Sequence, residues 1–128
     1  MSDRGGSKAS ALLRTCPQRS EVGPSPGWLS RAALAGCDAA LIAMEAAKDG
    51  VRLSHLEVKV DSVSDDRGIL AMDKSVPAGP LSIRVQVRLQ GNAVPERLQE
   101  ITRRAVAHCP IHEGAGRAVP MTLTVELG

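Results

Sequence analysis

The sequence predicts an α+β domain in which an antiparallel sheet packs on two main helices. Three observations predict it. Residues 26–48 form a long, nearly unbroken apolar stretch between proline and glycine punctuation. Several later segments alternate apolar and polar residues, the period of a half-buried strand. A second helical pattern, 95–108, lies between Pro95 and Pro110. The predicted order is helix–strand–strand–strand–helix–strand, and 128 residues suffice for one modest core.

Residues 1–25 are rich in Gly, Ser, Pro and Arg, with "ASALLRTC" their one apolar patch. They read as a poorly structured N-terminal segment preceding a domain over 26–128. "GPSPGW" opens the first helix. Ser25 suits the N-cap, and Pro26 suits the first helical position, where its missing N–H costs nothing. The pattern runs to Lys48 and stops at Gly50. It is apolar on nearly every side up to Ala43, which predicts a central, buried helix.

"LSHLEVKVDSV" sets Leu56, Val58 and Val60 against Glu57, Lys59 and Asp61, a strand with one buried face. "SDDRG" reads as a solvated turn and "ILAMD" as a short return strand, making a hairpin. "LSIRVQVRLQ" alternates most cleanly, with Leu81, Ile83, Val85, Val87 and Leu89 on one face. In the second helix Leu98, Ile101 and Ala105 recur at helical spacing, with Val94 at their edge. Glu96 stands near the positive end, and Arg103 and Arg104 near the negative one. "VPMTLTVELG" alternates Val119, Met121, Leu123, Val125 and Leu127 and predicts a closing strand.

Composition narrows the function. There is one Trp, Trp28, and no Phe or Tyr, so a base-stacking platform for single-stranded nucleic acid is not expected. A net charge of +2 is too small for a phosphate-binding surface. Trp28 reads as a core or dimer-interface anchor. No apolar run is long enough to cross a bilayer, and "MSDRGGSKAS" lacks the pattern of a secretion signal. The expectation is a cytoplasmic protein that binds neither membrane nor nucleic acid. There the three cysteines stay reduced and read as free or catalytic thiols.

Cys37 lies in "AALAGCDAA", within the first helix, and Cys109 in "AHCPIH", at the end of the second. Each is by itself compatible with inert core filling. Cys16, in "RTCPQR", lies in the poorly patterned segment. His108, Cys109 and His112 have a spacing that suits zinc, but a full site wants three or four ligands. Cys37 and His55 would have to supply the rest, so no metal or cofactor is expected.

Taken in order, "SPGWLSRAALAGC", "GVRLSHLEVKV", "DDRG", "LSIRVQVRLQG", "PERLQEITRRAVAHCP" and "VPMTLTVEL" resemble the OsmC/Ohr family, the osmotically induced and organic hydroperoxide resistance proteins. The resemblance covers about residues 22–127. It implies two interwoven subunits, hence a homodimer, with an antiparallel sheet around long central helices. It also implies a thiol-dependent peroxidase of oxidative stress defence. Cys37 matches the peroxidatic cysteine and Cys109 the resolving one. The substrate would be an organic hydroperoxide or hydrogen peroxide, and the reductant a dithiol, typically a lipoyl group.

Two positions depart from that pattern. Gly27 follows the turn proline where the hydroperoxide-resistance branch has glutamate. Arg4, Arg14 and Arg19 cannot be matched to that branch's activating arginine, and Arg31 precedes Cys37 by six positions, off the neighbouring turns of its helix. The alternative implied is a catalytically impaired OsmC-like binding or redox-sensing module.

Overall fold

The computed structural model describes residues 7–9 and 25–128. Helix α1 spans Pro26–Lys48. Its N-terminus is built as the sequence predicts: Ser25 Oγ accepts from the Trp28 amide at 3.2 Å, and Pro26 takes the first turn. Lys48 lies in the last turn, and Gly50, at φ +70°, then adopts a left-handed conformation that a side chain would resist.

Strand β2, Leu53–Val63, runs antiparallel to β3, Ser82–Gly91, with Val58 opposite Val87 and Val60 opposite Val85. The alternation sets one face of this pair against α1. Val58 and Val60 are fully buried with Leu34, Ala35, Ala39 and Ile42 of the helix, and Val85, Val87 and Leu89 pack at the margin. Helix α3, Pro95–Ala107, closes the other side of α1 through Ile101 and Ala105, both fully buried. Val94, its N-cap, is exposed. The predicted class therefore holds: an α+β domain with two main helices on a sheet whose central pair is antiparallel.

The element order differs from the prediction in four places. Ser7–Ala9, inside the segment read as poorly structured, form β1, which pairs parallel to β2, so the sheet runs β1-β2-β3. Cys16, Arg4, Arg14 and Arg19 lie outside the described residues. "ILAMD" is not a return strand. Asp65 instead caps a single helical turn, α2, Asp66–Ile69, and holds Arg67 in an ion pair at 2.7 Å. A Cβ on Gly68 would collide with the Pro77 carbonyl, so glycine is what lets this turn fold back on its own connection. Beyond Cys109 the chain makes a further helix, α4, Pro110–Gly116.

The closing strand does not form: 117–128 carry no regular structure, and Met121, Leu123, Val125 and Leu127 stand 92, 86, 68 and 92% exposed. Alternation is a local property, whereas a strand also needs a neighbour for its backbone, and among the described residues none pairs with this segment.

Candidate active site

The site is built where α1, α3 and α4 meet. Cys37 sits midway along α1, on a rigid and well-packed element, and is partly exposed. Cys109 lies in the break between α3 and α4 and is fully buried. Pro110 explains the break: it has no N–H to continue α3, yet it suits the first position of a new helix. Cys109 thereby becomes the N-cap of α4, its Sγ accepting from the His112 amide at 3.4 Å.

This capping geometry points the Cys109 sulfur at α1. Its thiol donates to the sulfur of Cys37 at 2.8 Å. Both cysteines are free, and a disulfide would need the sulfurs to close by only roughly 0.8 Å. The two thiols are unlike. Burial pushes Cys109 up to about 12, helped by its bond to Cys37 and by the carboxylate of Asp38, with the His112 amide pulling the other way. Cys109 thus holds its proton, while Cys37 accepts the hydrogen bond and faces the more open side.

The next residue on α1, Asp38, is fully buried. Its Oδ2 meets His112 Nδ1 at 2.7 Å, while its Oδ1 is buried with no hydrogen-bond partner. A thiol pair, a buried carboxylate and an imidazole are therefore contiguous. A nucleophile beside a second thiol and a proton acceptor can reduce a bound O–O bond and then close to a disulfide.

The model of OsmC-like proteins matches residues 18–124. The chain belongs to that family. Among solved structures, an OsmC-like protein from Mycoplasma pneumoniae is similar, with a TM-score of 0.67 and 16% identity over 79% of this chain and 68% of that one. At that identity the likeness speaks for the OsmC-like fold. No curated protein matches the sequence significantly.

Within this OsmC-like frame, Cys37 and Cys109, singled out by sequence, come together. Asp38 and His112 complete the cluster and were not read as part of it. The available signal was the position of Asp38, a lone acid in an apolar run directly after Cys37. The spacing of His112 suits a zinc ligand, whereas its actual partner, Asp38, lies across the fold. Among the described residues no three metal-binding side chains converge as a metal site requires, and His55 lies on β2 beside Glu57 instead.

Arg31 does not reach the sulfurs. Its Nη1 donates to Ser62 Oγ on β2 at 2.7 Å, while its Nε and Nη2 are buried without a hydrogen-bond partner. Burial lowers its pKa from the usual arginine value, against the pull of Asp61. A Cβ at Gly27 would lie 3.5 Å from Arg31 Nη1, so a side chain at this position would start next to the guanidinium. Arg104 lies in the last turn of α3, as the sequence predicts, and from there binds Glu45 and Asp49.

Proposed function

We propose that this chain is a thiol-dependent peroxidase that reduces organic hydroperoxides or hydrogen peroxide. The observation that carries the reading is the pair of free sulfurs 2.8 Å apart, one partly exposed and accepting, the other buried and donating. The Cys37 thiolate attacks the outer peroxide oxygen. The O–O bond breaks, Cys37 becomes a sulfenic acid, and the alkoxide leaves as the alcohol. Cys109 then displaces the hydroxyl, which departs as water, and a disulfide forms. A dithiol, of the lipoyl type by family resemblance, returns the pair to thiols. Membership of the OsmC-like family supports this role in oxidative stress defence.

The working unit we propose is a homodimer. Five alternate apolar side chains of the C-terminal segment are exposed, and β3 is an edge strand of the sheet. A second copy would supply the backbone partner that the alternating segment lacks. Light scattering is expected to give twice the chain mass, and a monomer at micromolar concentration overturns this part of the reading.

The central experiment is peroxide consumption with cumene hydroperoxide as substrate and dihydrolipoamide as reductant. Turnover that disappears in Cys37→Ser supports the enzyme. Consumption no faster than the free-thiol background, with Cys37 left unmodified, sinks it. The second reading, a redox-sensing module, is favoured by Gly27 and by the direction in which Arg31 points. It predicts one stoichiometric disulfide and no sustained turnover.

A further inference from the structure

Asp38 presents a problem that packing does not explain. A buried carboxylate oxygen without a hydrogen bond costs free energy, and native proteins retain such a group only for a reason. Oδ1 is in that state, while Oδ2 is fixed by His112 at 2.7 Å. The same carboxylate lies against the Cys109 thiol and helps hold its proton. Yet Cys109 must lose that proton to form a disulfide. With its pKa near 12, water alone would leave roughly one molecule in 10⁵ ionised at neutral pH.

We propose that Asp38 is the general base that accepts the Cys109 proton as the disulfide closes, and that His112 is the positioning residue that holds the carboxylate for this transfer. The inference rests on the thiol-pair chemistry proposed above. When Cys37 is a sulfenic acid, Cys109 Sγ attacks Cys37 Sγ. The S–S bond forms, the S–O bond breaks, the Cys109 proton passes to the Asp38 carboxylate, the departing hydroxide takes a proton from solvent to become water, and Asp38 then returns its proton to solvent. The titratable groups linked to Asp38 are Cys109 and His112 at the start of α4, with Cys37 bonded in turn to Cys109. Of the other elements packed on α1, α3 and β2 contribute the apolar Ala105, Val58 and Val60 to the core, and β1 packs on α1 as well. Among the described residues, Asp38 is the carboxylate that acts on the Cys109 thiol.

The test needs no peroxide. In a Cys16→Ser background, 5,5′-dithiobis(2-nitrobenzoate) caps the more exposed Cys37 and releases one thionitrobenzoate. Attack by Cys109 on the capped sulfur releases a second. This leaving group departs as an anion and needs no proton, so the second phase isolates deprotonation of Cys109. In Asp38→Asn we expect the first phase to stay within about twofold and the second to slow by ~100-fold. The wild-type second phase should be nearly flat between about pH 7 and 9. In the variant it should climb about tenfold per unit as hydroxide takes over. A merely structural role would slow both phases alike without changing that slope. A second phase at wild-type rate in Asp38→Asn overturns the proposal. Should that variant not fold, a wild-type second phase rising about tenfold per pH unit overturns it equally. A chain inactive toward hydroperoxide but showing the expected second phase would fail the peroxidase reading alone.

Discussion

Asp38 and Glu45 lie on one face of α1, two turns or about 10.5 Å apart, and both are buried. Their surroundings differ in one respect. Glu45 has both oxygens occupied, Oε1 by Lys48 at 3.0 Å and Oε2 by Arg104 at 2.6 Å, and Arg104 also holds Asp49 at 2.9 Å. Asp38 has one oxygen held by His112 and one without a hydrogen-bond partner, and its carboxylate acts on the Cys109 thiol. Burial of an acid is thus no sign of chemistry in itself. Glu45 fastens α1 to α3, with each of its oxygens held by a cationic side chain. An open valence joined to a thiol, as at Asp38, is what separates a reactive position from a structural one.

Removing Arg104 should produce the larger of two contrasts between these acids. Arg104→Met keeps much of the stem but leaves Glu45 buried without its main partner, so the urea midpoint at neutral pH should fall clearly. Both thionitrobenzoate phases should remain as in wild type, because the network does not touch the sulfurs. The acid limb of stability should change as well. The Arg104 hydrogen bond, followed by that of Lys48, holds the Glu45 pKa below its usual 4.5. A depressed carboxylate contributes stability that is present above its unfolded pKa and is lost as pH falls through the folded value. Wild type should therefore lose stability on acidification below about pH 4.5, and Arg104→Met should lose less over the same window. Urea midpoints taken at intervals from neutral to acid pH measure both effects. A variant that unfolds like wild type across the range would mean that the Glu45 network is not what fastens these helices.

The same contrast explains how much the sequence reveals. Helix α1, strands β2 and β3, and helix α3 follow from periodicity and caps, because those signals are local. Ser25, Pro26 and Gly50 each act within a few residues of themselves. Cys37 and Cys109 are legible through family motifs. The link between Asp38 and His112 is not, since it depends on α4 turning back after Pro110 to face α1. The pairing of Arg104 with Glu45 is hidden for the same reason: its register comes from helix packing rather than from spacing along one helix. The C-terminal segment fails in a different way. Its alternation describes two faces correctly, but strand formation also requires an edge to pair with, and pairing is not encoded in periodicity.

Arg31 extends the comparison to a third position on α1, with the sign of the charge reversed. Like Asp38, it is polar, partly withdrawn from water and incompletely bonded: Nε and Nη2 lack partners. Unlike Asp38, it has no link to a sulfur, so its open valence reads as an unfilled structural contact. Gly27→Glu would fill it. The added side chain starts 3.5 Å from Nη1 and 3.8 Å from Nη2, ordinary contact distances. It would also replace a glycine in the first helical turn, which carries no acid at present. Removing the glycine and placing a negative charge at the helix N-terminus should together raise stability by about 1 kcal/mol, the smallest effect argued here. Thermal unfolding at neutral pH should show the gain, and the rate at which Cys37 is capped should not change. Unchanged or lowered stability would mean that Arg31 is already satisfied where it lies. Faster capping would show instead that its guanidinium communicates with Cys37, which would move Arg31 from the structural side of the comparison to the reactive one.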